Sequence, residues 1–245
     1  MNEITKYHNS LNDVPFRKFT SVEMDLFFAI CSKMREKGTD EVTLTFSQLR
    51  KLSGFSMTSD KAFITRISSV YNKLLTLVFQ KETATGGITY FTLFDEFTIE
   101  PSRKIITIRI KEKFSYILND LTGEFTRFEL EEFTSLKSGY SKTLYRLLKQ
   151  WRTRGRRQFT IQEFRTLLDV PKSYRMTNID NAIIEPARKE LEHYFEDLDI
   201  KKIKNGRGRG GTVTDIEFTF KKQLPPKKEL PKVSLENWLS EGENS

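Results

Sequence analysis

Residues 158–220 read QFTIQEFRTLLDVPKSYRMTNIDNAIIEPARKELEHYFEDLDIKKIKNGRGRGGTVTDIEFTF, and the order of signals in this stretch decides the fold. Thr160 is a helix cap ahead of a short helix over 161–168, which Asp169-Val-Pro171 ends. A second helix is predicted over about 178–195, because Ile179, Ile183, Ala187, Leu191 and Tyr194 fall on one face. Pro186 lies inside it and predicts a kink or a break into two pieces, since proline has no N–H for the helical ladder. Strand-like segments at about 198–204 and 212–220 then flank Asn205-Gly-Arg-Gly-Arg-Gly-Gly211, a hairpin with a glycine-rich tip.

The residues just before this stretch supply one more helix. From Phe133 to Gln162 the apolar positions Leu136, Tyr140, Leu144, Leu147, Leu148 and Trp151 have helical spacing, and Gly155 is a C-terminal stop. The N-terminal half follows the same order. Ser21 or Thr20 caps a helix with Met24, Phe27, Phe28, Cys31 and Met34 inward, and Gly38 stops it. A β-branched run at Val42-Thr-Leu-Thr45 precedes a short helix from Phe46 to a glycine turn at Gly54. A longer helix over about 59–77 places Phe63, Ile67, Val70 and Leu74 inward and Lys61, Thr65, Arg66, Ser69, Asn72 and Lys73 outward. Strands at about 78–83 and 88–94 flank Gly86-Gly87, and a third fits 104–110. Helix, short helix, turn, helix and hairpin is the winged helix-turn-helix plan. The expected fold is therefore α+β, two tandem winged helix-turn-helix domains related by internal duplication. The domains are expected at 1–120 and 121–222, with a flexible Pro- and Lys-containing tail at 223–245.

Charge is concentrated rather than spread. The 245 residues carry 41 Lys+Arg against 33 Asp+Glu, a formal charge of +8. Between Phe133 and Gln162 there are eight basic residues, Lys137, Lys142, Arg146, Lys149, Arg152, Arg154, Arg156 and Arg157, and no acidic one. Lys142, Arg146, Lys149 and Thr153 share a face distinct from the apolar stripe, which predicts a basic ridge turned outward. Like charges at this spacing repel, and a polyanionic partner removes that cost. Major-groove reading by the second helix and phosphate or minor-groove contact by the hairpin fit double-stranded DNA. The second wing carries Arg207 and Arg209 among glycines, which suits a narrow, negative groove. The first wing, Thr83-Ala-Thr-Gly-Gly87, is uncharged, so the first copy suits dimerisation more than DNA contact.

Other classes fit poorly. The chain has one cysteine, Cys31, and two distant histidines, His8 and His193. A Cys-cluster zinc site, a His-x-x-x-His site and the His-hydrophobic-His pair of a rolling-circle nickase are therefore all missing. Gly206-Arg-Gly-Arg-Gly-Gly-Thr212 faintly resembles a phosphate-binding loop but lacks the lysine and the strand–loop–helix setting. The expectation is a protein that is not an enzyme and needs no cofactor or metal. No run approaches 18 apolar residues, and the N-terminus lacks the apolar core of a secretory signal. The expected location is cytoplasmic, with no membrane partner.

Several blocks carry a resemblance. Lys6-Tyr-His-Asn-Ser-Leu-Asn-Asp-Val-Pro15 followed by Phe19-Thr-Ser-Val-Glu-Met24 resembles the start of RepB-type plasmid replication initiators. So do Phe125-Thr-Arg-Phe-Glu-Leu-Glu-Glu-Phe-Thr134 and the block from Tyr140 through Lys142-Thr-Leu-Tyr-Arg146 to Lys149-Gln-Trp-Arg152. Residues 164–171 and Lys172-Ser-Tyr174 also fit. The resemblance covers about residues 4–220 and points to the initiator replication protein family of theta-replicating, iteron-carrying bacterial plasmids. It implies a monomer that binds direct repeats (iterons) at the origin and opens adjacent DNA with host replication initiation proteins. It further implies a homodimer through the N-terminal domain, which binds an operator inverted repeat and represses its own promoter. The iteron reader carried onto this chain is 173–189, preceded by the helix at 161–168. Pro186 sits where relatives also place a proline.

Residue roles follow. Arg175, Asn178, Asn181 and Arg188 are candidates for contact from the recognition element, since Asn pairs with adenine and Arg with guanine, or either holds phosphate. Tyr174 approaches a phosphate or thymine methyl, or simply packs. Lys142, Arg146, Lys149, Arg152, Arg154, Arg156 and Arg157 are assigned to phosphate contact or approach electrostatics, and Arg207 and Arg209 to the wing. In the tail, Leu235, Trp238 and Leu239 have helical spacing, either as a docking motif for a host protein or as stray apolar residues. Two other functions compete: a winged-helix transcriptional repressor without an initiation role, and a nicking enzyme using a tyrosine.

Overall fold

Threonine caps set the helix starts. Thr20 Oγ1 accepts from the Glu23 N–H at 3.3 Å while the Glu23 carboxylate accepts from the Thr20 N–H at 2.7 Å, a reciprocal capping box. Thr45 and Gln48 form a second one, and Thr160 Oγ1 accepts from the Glu163 N–H at 3.1 Å. The computed structural model describes residues 3–16, 18–56, 59–77, 79–82, 85–119, 121–206 and 211–224.

In chain order, β1 (Ile4–His8) leads through a 3₁₀ turn to α1 (Ser21–Met34), β2 (Val42–Thr45), α2 (Phe46–Ser53) and α3 (Asp60–Leu74). Then follow β3 (Phe79–Glu82), β4 (Ile88–Phe91), β5 (Phe94–Glu100) and β6 (Ile105–Ile110). The second half runs β7 (Phe125–Glu129), α4 (Leu130–Ser135), α5 (Gly139–Gln150), β8 (Arg156–Thr160) and α6 (Ile161–Leu167). It continues with α7 (Met176–Ile179), a π-helical turn (Asp180–Ile184), α8 (Glu185–Leu191), β9 (Asp199–Asn205) and β10 (Thr212–Thr219). The sheets have strand orders β2-β6-β5 and β8-β10-β9, so the two halves are two copies of one winged-helix plan.

That equivalence corrects one expectation. The strand pair that corresponds to β9–β10 is β5–β6, and its tip is Pro101-Ser-Arg-Lys104 rather than Thr83–Gly87. Gly86-Gly87 does mark a hairpin, β3–β4, but it is an added ribbon outside the three-stranded sheet. A local turn signal says that two strands pair, not which pair joins β2. The edge of β2 is taken by β6, with Val42 opposite Ile108 and Leu44 opposite Ile106. The first wing tip is therefore charged: Arg103 pairs with Glu100 at 3.1 Å and Lys104 with Asp60 at 2.8 Å.

Proline reshapes the second helix without ending it. The N–H of Glu185 reaches back to Asp180 O, an i to i−5 bond that widens the turn just before Pro186. Gly155 ends the α5 region at φ +69, and a Cβ there would lie 2.5 Å from Phe220 O. Only glycine fits that approach.

The halves are not separate bodies joined by a linker. β1 and β7 introduce the two copies and pair antiparallel, with Lys6 opposite Arg127 at the centre. Their inner face, Tyr7 and Phe128, packs on Phe28, and Phe28 on Phe133 with ring centroids 4.8 Å apart. Phe128 in turn packs on Tyr145 of α5, so one aromatic core serves both copies. The boundary expected at 120/121 falls just before β7. Of the expected tail, Gln223 is docked, its N–H on Arg152 O at 2.8 Å and its side-chain amide on Tyr194 O at 2.6 Å. Residues 225–245, with the expected docking motif, lie outside the described residues.

Candidate nucleic-acid interface

The helix–turn–helix of the second copy is α6 followed by α7, the π turn and α8. Ile179, Ile183, Ala187 and Leu191 are buried as the spacing predicts, which turns the opposite face out. Arg175, Thr177, Asn178, Asn181, Ala182, Glu185 and Lys189 are exposed there. Asn178 is partly committed, because its Oδ1 accepts the Arg175 N–H at 2.9 Å. A bidentate contact to adenine uses both Oδ1 and Nδ2, so Asn181 is the better placed of the two. Arg188 faces the wing instead, half-buried, with its guanidinium 3.4 Å from Ile200 O and 4.0 Å from Asp199. Tyr174 is half-buried against the core, and its carbonyl accepts from Arg165 at 2.7 Å.

The wing supplies cations that motif reading passed over. Lys201, Lys202 and Lys204 on β9 are exposed, as is Lys172 in the turn before α7. Lys202 also reaches Asp180 at 2.7 Å, tying the wing to the recognition helix. The signal in the sequence was Lys201-Lys-Ile-Lys204 leading straight into the glycine-rich tip. Arg207 and Arg209 lie outside the described residues.

The basic run is corrected in part. Lys142, Arg146 and Lys149 do not form an outward ridge; all three are buried, Lys142 and Arg146 completely. Lys142 Nζ donates to Asp25 on α1 at 2.6 Å and to Phe133 O at 2.7 Å. Arg146 donates to Leu11 O at 3.0 Å, Asn12 Oδ1 at 3.1 Å and Val14 O at 3.1 Å, clamping the segment that enters α1. Lys149 pairs with Glu132 at 3.0 Å. The physical reason is that α5 lies between layers, with β7 and α1 on one side and α8 on another. Helical spacing separates two faces of a helix but does not say that the polar face meets water. Burial pushes the Asp25 carboxyl up to about 7 against the pull of Lys142, and pushes Lys142 down against the pull of Asp25.

The remaining arginines are nearer the surface. Arg152 is half-buried and donates to Arg127 O at 3.3 Å. Arg154 and Arg157 flank the Trp151 ring at 4.7 and 4.9 Å, while Arg156 pairs with Glu217 and Arg157 with Glu163. Arg156 sits opposite Thr219, whereas the wing tip joins Asn205 to Thr212. Seven residues of strand separate them, about 23 Å, so this cluster is remote from the wing tip.

In the first copy, α3 holds the equivalent of the recognition position. A shallow surface groove of about 490 Å³ runs along Ser59, Lys61, Ala62, Thr65, Arg66 and Ser69. Behind it stands buried Glu23, which accepts from Ser69 at 2.7 Å and Lys73 at 2.5 Å, with Arg66 at 3.7 Å. Burial alone would raise its carboxyl, but the bonds from Lys73, the Thr20 N–H and Ser69 outweigh that and hold it at about 2. The native state thus binds the Glu23 proton less tightly than the unfolded chain, whose value is near 4.5. Stability from this site is present above about pH 4.5 and is lost as pH falls toward 2. Urea unfolding across that window is expected to show Glu23→Gln less stable at pH 7 and less sensitive to acid than wild type. Parallel acid limbs for the two proteins would refute the role.

Two copies of the winged-helix plan, with exposed Arg, Asn and Lys around the second recognition helix, are matched by family comparison. The family model described as "Initiator Replication protein, WH1" matches residues 4–149, and that described as "Initiator Rep protein, WH2" matches 160–220. The chain belongs to the initiator replication protein family. A relative from Bifidobacterium longum (strain NCC 2705), described as "Probable replication protein rep", is 36% identical over 228 residues, covering 92% of this chain and 75% of that protein. Among solved structures, the Pi initiator protein in complex with iteron DNA aligns with a TM-score of 0.69 at 11% identity, over 89% of this chain and 97% of that one. The structural likeness supports the initiator fold of two winged helices. Among the described residues no helix is long and apolar enough to cross a membrane.

Proposed function

We propose that this plasmid replication initiator binds the direct repeats of its origin as a monomer, with α7–α8 in the major groove and the β9–β10 wing on adjacent backbone. The observation that carries this is the exposed face of the second recognition helix, Arg175 and Asn181, flanked by Lys172, Lys201, Lys202 and Lys204. The Pi initiator, whose fold it shares, was solved with iteron DNA, which supports the same class of ligand here. The first copy adds a second, weaker contact through Lys61, Thr65 and Arg66 on α3. It also forms the homodimer that binds an operator inverted repeat and represses the initiator's own promoter. Opening of the origin then falls to host replication initiation proteins, and the chain itself does no covalent chemistry in the cytoplasm where it works. Arg154, Arg156 and Arg157 contribute to approach electrostatics rather than to groove contacts.

A DNase footprint on the DNA flanking the gene, at several protein concentrations and fixed physiological salt, tests this reading. Protection of tandem short direct repeats is the expected result. Protection of a single inverted repeat alone would favour a repressor without an initiation role. Relaxation of supercoiled plasmid in Mg²⁺ or Mn²⁺ would instead support a nicking enzyme.

A further inference from the structure

The outward face of the β1–β7 ribbon belongs to neither helix–turn–helix and carries an unusual charge arrangement. Lys6 and Arg127 are directly opposed across the strands, a like-charge pair that weakens a ribbon. A third cation, Arg152, reaches in from the end of α5. Lys6 Nζ lies 4.1 Å and the Arg152 guanidinium 5.8 Å from the centre of the half-buried Phe125 ring. Their hydrogen bonds go to backbone carbonyls rather than to carboxylates: Lys6 to Leu121 O at 2.5 Å, Arg152 to Arg127 O at 3.3 Å and Lys149 O at 3.4 Å. Among the described residues Arg127 has a distant acidic partner, Glu129 at 3.9 Å. The crowding is felt: burial lowers the Lys6 ammonium, and Arg35, Arg127 and Arg152 lower it further against the pull of Glu36.

We propose that this face is a docking surface for an acidic segment of a partner protein. Two cations, Lys6 and Arg152, converge on one aromatic ring, and a third, Arg127, stands opposite Lys6 where stability alone favours opposite charges. Acidic residues border the patch at both ends, Glu129 beside Arg127 and Glu124 beside His8 at 3.7 Å. That border suits a short acidic segment that ends within the patch, and it repels a phosphodiester strand that runs on past it. The surface rests on the initiator reading only in that such a protein works with partners at the origin. Arg152, assigned from sequence to DNA, belongs to this surface.

The test uses the full chain with Lys6→Glu/Arg127→Glu, and Arg127→Gln as a milder variant. Three ligands are titrated by fluorescence anisotropy: duplex origin repeats, a labelled glutamate-rich peptide, and labelled oligothymidylate. The charge reversal is expected to weaken peptide binding on the order of tenfold or more, to leave repeat affinity and its salt slope within about twofold, and to reduce plasmid establishment in the host. Arg127→Gln is expected to keep or raise the thermal midpoint, because a repulsive pair is relieved. Absence of peptide binding to wild type, or equal binding by the reversal, would overturn the proposal. So would loss of repeat affinity, or a reversal that abolishes oligothymidylate binding while sparing the peptide. Failure of wild type to bind the repeats would sink the initiator reading instead, and the peptide arm would still decide the surface.

Discussion

Asp25→Ala is expected to destabilise the protein by about 3–5 kcal/mol at pH 7, the cost of stranding a buried charge whose partner has been removed. Lys142 is fully enclosed, and without Asp25 its ammonium keeps the hydrogen bond to Phe133 O, the face of the Phe133 ring 4.8 Å away and the more distant charge of Glu190. Against a total stability of about 5–15 kcal/mol, the variant is marginal. The double replacement Asp25→Leu/Lys142→Met removes both charges and fills similar space, so it is expected within about 1–4 kcal/mol of wild type on the favourable side, or neutral. Lys142→Met alone is expected to cost less than Asp25→Ala, because Asp25 already sits near 7 and can neutralise by taking a proton. Urea unfolding of the four proteins measures these differences. If Lys142→Met stayed fully folded and lost DNA affinity with a shallower salt slope, the lysine would be on the DNA after all.

That buried pair bears on what the chain discloses before folding. Caps and stops were legible because they act within a few residues: Thr20, Thr160, Gly54 and Gly155 all stand where local chemistry puts them. The inward face of the second recognition helix was legible from period alone. The fate of Lys142, Arg146 and Lys149 was not, since their partners Asp25, Asn12 and Glu132 are brought in by the packing of α1, the N-terminal segment and α4 around α5. The first wing failed for a related reason. Gly86-Gly87 is a strong turn signal, yet β2 selects β6 through a pairing 60 to 66 residues distant in sequence, and short-range signals carry no information about it. Legibility was also partial at the interface, where Arg175 and Asn181 are exposed as expected while Arg188 turns to the wing and Asn178 serves a cap.

Arg175→Ala and Asn181→Ala are each expected to cost about 1–3 kcal/mol on the cognate repeat and little on a scrambled duplex. Both side chains are exposed on the face that α7 and the π turn present outward, and both have donors suited to base edges. Lys201→Ala and Lys204→Ala lie on the wing strand, which the proposed function sets against phosphate. They are expected to weaken cognate and scrambled duplexes alike and to flatten the salt dependence by about one unit for each true contact. Asn178→Ala separates the two kinds of effect: loss of its bond to the Arg175 N–H is expected to lower stability by about 0.5–2 kcal/mol, as for other caps. Anisotropy on both duplexes across a salt series reads all of these at once. Equal losses on cognate and scrambled DNA for Asn181→Ala would move that residue from base reading to backbone contact. The recognition face would then have to be sought nearer the α8 end, at Glu185 and Lys189.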